Sequence, residues 1–582
     1  MGATGVEGAP RLPVVLLWHM HQPQYRDALS GEYVLPWTVL HALKDYSDMA
    51  AHLEHNPAAR AVVNFTPVLL EQLEEYSQRI AQYLRDATPL RDRVLALLSD
   101  APLPTDSAAR AELIRACLRA QRQRMIERFE PFRELADLAP PFLEPERAGW
   151  ASDQFITDLA VWYHLAWLGE SIRLTDERVK ILAARQRGYS AEDKRLLLQL
   201  INDVLANLVP RWRALAEQGR VELSTTPYAH PILPLLHDFR AARESIPDAI
   251  LPVHLGYPGG AQRAGWQMAE AVRVFGRVFG FRPVGCWPSE GAVSQVGLAT
   301  IEQFGFRWAA TSANVLRAST ALDPVSDVAL APNGTDERAA VFNRVYLRPG
   351  GELACFFRHD TLSDAIGFQY ATWHGDDAAA NLAGELAQLA SCYAGQPERI
   401  VLIALDGENA WEHYPDNGWH FLKALYAALG SHPQLELTTL SDYLQRRKPR
   451  SQALDRIVAG SWVHGTLATW IGDPDKNAAW DLLCVAKQAF DRVVVEGALS
   501  ESAVAAAERQ LALCESSDWF WWFGDYNPVD AVSSFDQLYR RQLLTLYRML
   551  GVEPPANLSL PVSVGHGNPE GGGTMRRGAT AT

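Results

Sequence analysis

The stretch Ile400-Val401-Leu402-Ile403-Ala404-Leu405-Asp406-Gly407-Glu408-Asn409-Ala410-Trp411-Glu412 decides the architecture. Six consecutive apolar residues, with no polar alternation, read as a strand buried on both faces. The strand then delivers carboxylates and a tryptophan at once, as the edge of an active site would. Comparable runs recur at 13–18, 61–65, 221–224, 283–287, 306–310 and 353–357, and amphipathic helical spacing fills intervals such as 261–279 and 378–394. Strands alternating with helices make βα units and a parallel sheet or barrel. Polar residues follow each run: His19-Met20-His21, Thr66, Thr225-Thr226, Ser289-Glu290, Thr311-Ser312, His359-Asp360 and Asp406-Gly407-Glu408. That placement matches a barrel whose βα loops form the site. Seven runs predict an α/β fold built as an irregular (β/α)7 barrel.

The barrel is expected over 1–450, with a helical insertion around 106–220 where no strand pattern occurs. Residues 451–560 read as a C-terminal helical bundle that contributes to the active-site cleft, with helices near 477–496, 500–514 and 533–550. The glycine-rich 561–582 reads as a disordered tail. Hydrophobic residues form 48% and charged residues 21% of the 582, the range of a globular enzyme. A net charge of -14 argues against a nucleic-acid partner, which needs clustered cations. The six cysteines show no CxxC pairing, so neither a disulfide framework nor a zinc knuckle is expected. The first apolar run, 12–18, is too short for a signal or a membrane span, and the expected location is the cytoplasm.

Two strand-terminal carboxylates flanked by tryptophans, Glu290 beside Trp287 and Asp406 beside Trp411, suit glycosidic cleavage: one acid, one base or nucleophile, and a flat apolar surface for a pyranose. Glu290 in Trp-Pro-Ser-Glu-Gly also fits a simple helix-start acid, but the nearby tryptophan favours catalysis. Asp406 also fits an Asp-Gly turn. The crowding of Glu408 and Glu412 beside it raises carboxyl pKa values and favours a general acid, and spacing leaves either of those two glutamates open as the donor. His19 and His21 alternate on a strand end and face one cavity, as metal ligands with Asp360 or Asp406 or as partners of sugar hydroxyls. The reading adopted has no metal and no cofactor. Asp518-Trp519-Phe520-Trp521-Trp522 must pack on something, either as a dock onto the barrel or as a stacking surface for substrate.

Taken together, His19-Met20-His21-Gln22-Pro23, Gly219-Arg220-Val221-Glu222, His230-Pro231-Ile232-Leu233-Pro234, Trp287-Pro288-Ser289-Glu290, Asp406 to Glu412 and Ser517 to Trp522 resemble glycoside hydrolase family 57 from about His19 to about Pro555. The resemblance implies retaining enzymes active on α-glucans, an incomplete barrel followed by a helical bundle, Glu290 as nucleophile and Asp406 as general acid/base. It places His19, His21, Glu222, Trp287, Asp518 and Trp521 around the sugar under attack. The wording of the two catalytic motifs is most similar to the α-amylase and amylopullulanase branch, with an α-glucan polysaccharide or maltooligosaccharide as substrate. The competing readings are a 4-α-glucanotransferase or branching enzyme using the same pair, a metal-dependent hydrolase or deacetylase, and a non-catalytic glucan-binding protein. One departure stands out: Thr311-Ser312-Ala313-Asn314 occupies a place where many relatives carry an Asp-Glu pair after a Thr.

Overall fold

A computed structural model of the protein describes residues 11–320, 341–449 and 451–567. Seven strands form on the seven apolar runs: β1 (Leu12–Met20), β2 (Ala61–Phe65), β3 (Val221–Thr225), β4 (Gly285–Cys286), β5 (Trp308–Ser312), β6 (Ala354–Arg358) and β7 (Val401–Asp406). Each pairs in parallel with the next, and β7 pairs back onto β1, closing the ring. The expected seven-stranded α/β barrel is therefore the fold. Its perimeter is uneven. β4 has only two residues, and β6 meets β7 at the single pair Arg358 and Leu402, with the Ala404 N–H donating to Ser363 Oγ (3.2 Å) beside that seam.

Strand period explains what fills the barrel. Val15, Leu17, Val62, Ala310, Phe356, Leu402 and Ala404 share an apolar cluster with Trp308 and Trp287, and each fully buried Val or Leu contributes about 1.5–3 kcal/mol. The next position in the same period of two, toward the carboxyl ends, carries His19, Asn64, Ser224, Arg358 and Asp406. The interior thus changes from apolar to polar within one residue pair, and that step is the floor of the site.

Between β2 and β3 the chain is helical, beginning already at Pro67–Asp86 and ending with Ala191–Glu217; the described residues there include no strand. After residue 451 come the helices Pro474–Glu496, Glu501–Cys514, Ser517–Trp522 and Val529–Leu550. They dock on the barrel side through Glu515, which is fully buried and accepts from Arg263 Nε (2.6 Å), Gln267 Nε2 (2.6 Å) and the Tyr257 hydroxyl (2.7 Å). A buried carboxylate with three donors avoids the cost of an unpaired charge. Residues 561–567, the start of the expected tail, contact the bundle: the Val562 N–H donates to Asp536 (2.7 Å), and the Ser563 hydroxyl accepts from the Gly524 N–H (3.0 Å). The rest of that expected tail lies outside the described residues. All six cysteines are free thiols, and among the described residues no helix is long and apolar enough to cross a membrane.

Candidate active site

Strand register builds the floor. Asp406 lies beside His19, His19 beside Asn64, and Asn64 beside Ser224, so four neighbouring strands carry polar groups at one level. Above them opens a cavity of about 400 Å³, lined among others by His19, His21, His230, Glu290, Asp406, Glu408, Trp462, Asp518 and Trp521. Glu290 reaches it from the turn after β4, with φ 57° and ψ 24°. A non-glycine residue there stores strain, which the surrounding contacts must hold. Those contacts are specific: Trp462 Nε1 donates to Glu290 Oε2 (3.0 Å), and Ser517 Oγ lies 3.3 Å from Oε1.

Both carboxyls hold protons unusually well. Burial pushes Glu290 up to about 8, helped by the charges of Asp406 and Asp518. Burial pushes Asp406 up to about 6, against the Asn409 amide that donates to it (2.8 Å) and the nearby His21 and Arg358. Like charges this close disfavour ionising together, which raises both groups in the same direction as burial does. Glu408 is buried to 1% and is also pushed up, first by burial and then by Asp406. It accepts from the His21 N–H (3.1 Å) and from Gln22 Nε2 (3.2 Å), which spends it on holding the end of β1.

The histidines converge, as the strand-end alternation suggested. His21 Nε2 sits 2.9 Å from both oxygens of Asp518, which brings the bundle to the barrel. His21, His230 and Asp518 place potential ligand atoms within 4.8 Å of one another. The two rings, however, stack with centroids 3.8 Å apart and planes 24° apart, so their in-plane lone pairs run side by side instead of meeting at one ion.

Three expected substrate contacts do not line this cavity. Glu222 faces the barrel interior one alternation below the floor, where Trp308 Nε1 (2.6 Å), the Ser441 hydroxyl (2.5 Å) and the Ser441 N–H (2.9 Å) all donate to it. Trp287 is fully buried and props Trp462, edge to face at 5.3 Å. Trp411 is buried against Trp18, and its indole N–H donates to the Gly407 carbonyl (2.8 Å), bracing the turn that carries Asp406. His19, His21, Asp518, Trp521 and the two carboxyls line one cavity.

The aromatic run of the bundle divides by residue. Phe520 stacks on Trp480 inside the bundle (4.2 Å, 14°), while Asp518, Trp521 and Trp522 face the cavity. The short helix thus packs one face inside the bundle and turns the other to the cavity. Trp37, half-buried, lines the cavity on the side of the helical segment and packs against the buried Trp167 (5.8 Å). The residues of the noted departure hold the frame instead of lining the cavity: Thr311 Oγ1 donates to the Gly291 carbonyl (2.6 Å) and Ser312 Oγ to the Ser461 carbonyl (3.0 Å). Sequence reasoning missed Trp462, His230 as a lining residue, and Ser517. Trp462 sits in a segment with no strong period, tied to the Glu290 turn by the reciprocal Val293 and Gly460 backbone bonds.

The model of glycosyl hydrolase family 57 matches residues 15–454, which is more than half of the chain. The chain belongs to glycosyl hydrolase family 57. It is thus an enzyme of a family that acts on α-glucans. Its fold is similar to that of a family 57 branching enzyme from Thermococcus kodakaraensis crystallised with glucose, with a TM-score of 0.57, 16% identity, and coverage of 94% of this chain and 93% of that one. An α-amylase from Thermotoga maritima gives 0.53 and 14%, covering 93% and 94%. A 4-alpha-glucanotransferase from Thermococcus litoralis gives 0.51 and 12%, covering 94% of this chain and 61% of the other. Family 57 membership accounts for the common barrel; likeness at these identities speaks to the fold alone.

Proposed function

We propose that the protein is a retaining α-glucan hydrolase of the α-amylase or amylopullulanase type, acting on α-1,4 linkages by double displacement. Ionised Glu290 attacks the anomeric carbon as the glycosidic C–O bond breaks, and Asp406 gives its proton to the departing oxygen. Asp406, now a carboxylate, takes a proton from water as that water attacks the same carbon and frees Glu290. The observation that carries this reading is the pair of carboxyls, Glu290 and Asp406, lining one aromatic-walled cavity. The mechanism needs one acid and one nucleophile, and a pair with apparent values of about 8 and about 6 supplies that proton count near neutrality. Catalysis proceeds through the arrangement with the proton on Asp406.

A second reading, transfer to an acceptor sugar, is favoured by Trp37, a half-buried ring on the cavity wall that offers a further stacking surface. Wild type and Glu290→Gln incubated with amylose, pullulan and maltoheptaose, with products resolved over time, separate the two. Shorter chains with the α-anomer released first support hydrolysis with retention. Longer chains alongside shorter ones indicate transfer, and a β-anomer released first, or full activity in Glu290→Gln, overturns the nucleophile assignment.

A further inference from the structure

Lys44, Asp45 and His41 form a buried polar trio in the connection from β1 to β2, and of the three only His41 lines the cavity. The helix Trp37–His41 passes directly into a single π-helical turn, Ala42–Tyr46. Such turns interrupt α-helices, frequently at functional sites. Asp45 Oδ2 lies 2.7 Å from His41 Nδ1, and Asp45 Oδ1 accepts from Lys44 Nζ (2.6 Å). Lys44 Nζ also donates to Asn417 Oδ1 (2.8 Å) and lies 5.3 Å from the centre of the Trp167 ring.

A buried ion pair is a poor way to gain stability, because desolvating two charges costs about as much as their attraction gains. This one fixes a ring. The carboxylate that pairs with Lys44 only accepts, so His41 Nδ1 carries a hydrogen toward it. The imidazole, only 6% exposed, is thus held from behind and packs edge-on against Trp167, with ring centres 5.4 Å apart. Its Nε2 has no protein partner among the described residues and is not sealed in, which makes it the ring's polar atom open to the cavity. Trp37 stands four residues earlier on the same helix face and lines the cavity beside it, the two rings 6.4 Å apart. An aromatic plate next to one aimed polar atom suits a sugar, whose ring stacks and whose hydroxyls hydrogen-bond.

The position of the trio selects one side of the reaction. His41 follows β1, the strand paired with β7, and Lys44 bonds Asn417 just beyond the turn that carries Asp406. Glu290 follows β4, which stands across the ring from both strands. The trio therefore faces the cavity from the acid's side, and the sugar that departs is the one whose oxygen the acid protonates. We propose that His41 Nε2 binds a hydroxyl of the glucose unit on the leaving-group side, next to Trp37, and that Lys44 and Asp45 are positioning residues that hold its ring. The proposal rests on the reading of Glu290 and Asp406 as the reacting pair, and it assigns the subsite that a departing or an accepting sugar occupies.

The test compares kcat/KM on maltoheptaose, which places glucose units on both sides of the broken bond, with kcat/KM on α-maltosyl fluoride, whose leaving group is a single fluoride ion. Only the first substrate reaches His41. His41→Asn keeps a donor near the position of Nδ1 and removes Nε2, whereas His41→Gln carries an amide out to the position of Nε2. His41→Asn should lower the ratio of the two kcat/KM values by about 5–10-fold, the loss of one hydrogen bond, and His41→Gln should hold it within about twofold. Asp45→Asn, which loosens the ring, should lower the ratio as well. A ratio unmoved in His41→Asn, whether both rates hold or both fall together, means that the ring only packs and overturns the proposal. A fluoride rate that falls more than the maltoheptaose rate places His41 on the retained sugar and overturns it too. Thermal melting establishes that each variant is folded; if His41→Asn does not fold, His41→Phe, which keeps a ring against Trp167 without either nitrogen, supplies the same comparison. Full activity of Glu290→Gln on the fluoride would instead sink the reacting pair, whatever the ratio, so the two failures are distinguishable.

Discussion

His21 and Asp518 stand 497 positions apart in the chain, yet the Nε2 of one lies 2.9 Å from both carboxylate oxygens of the other. The second ring nitrogen of His21 faces Thr66 Oγ1 (2.9 Å), whose own hydrogen goes to the Met20 carbonyl (3.2 Å). Both ring nitrogens thus face oxygen atoms. The pair joins the barrel end to the bundle at the cavity wall.

Asp518→Asn removes the charge but keeps the shape. We expect kcat/KM on maltoheptaose to fall by about 10–100-fold from lost orientation, with little change in the melting temperature. Both limbs of the pH profile should move down, because Asp518 is one of the groups that raise Glu290 and Asp406. Steady-state kinetics across pH, with a thermal melt beside them, decide this.

The carboxyl pair predicts a bell-shaped pH dependence for ordinary α-glucans, with limbs near 6 and near 8. Below the lower limb both groups are protonated and no nucleophile exists. Above the upper limb both are ionised and no acid remains. On a glycosyl fluoride the upper limb should vanish, and its persistence there would contradict the assignment of Asp406 as acid.

Glu290 also links pH to stability. Its folded value of about 8 lies above the reference value of 4.5, so the native state keeps a proton that the unfolded chain releases between those pH values. Its destabilising effect is absent below the lower value and complete above the higher one. Glu290→Gln should therefore be inactive yet more heat-stable, with the gain growing from pH 5 to pH 8 and reaching roughly 2–5 °C. Calorimetry at both pH values checks the trend; a variant less stable at pH 8 would show that the carboxylate is well accommodated.

Glu222 belongs to the barrel frame. Removing its side chain leaves the Trp308 indole N–H and the Ser441 N–H without their acceptor, a loss of about 2 kcal/mol or more. Glu222→Ala should melt earlier while kcat/KM stays within about twofold, after correction for the folded fraction. Lost activity with an unchanged melt would return Glu222 to the substrate.

The barrel was legible because buried parallel strands are written as unbroken apolar runs, and even the two-residue β4 was signalled by the residues around it. Glu290, Asp406, His19 and His21 were legible because each stands where such a run turns polar. Glu222 misled for a physical reason: it shares the inward face of β3 with Ser224, and one strand alternation separates the packed interior from the floor. Trp287 and Trp411 have the composition of sugar platforms, but their indoles are consumed by Trp462 and by the Gly407 carbonyl. Trp462 and Ser517 escaped notice because their role depends on long-range docking, which leaves no local period.

The bundle's share in the cavity has a consequence for biosynthesis. Ser517, Asp518 and Trp521 follow every barrel strand in the chain, so a polypeptide stopping short of them has a barrel with one wall of its pocket missing. Since translation runs from the amino end, both carboxyls leave the ribosome before the groups that enclose them. The cavity is therefore completed only once the helix Ser517–Trp522 has been made.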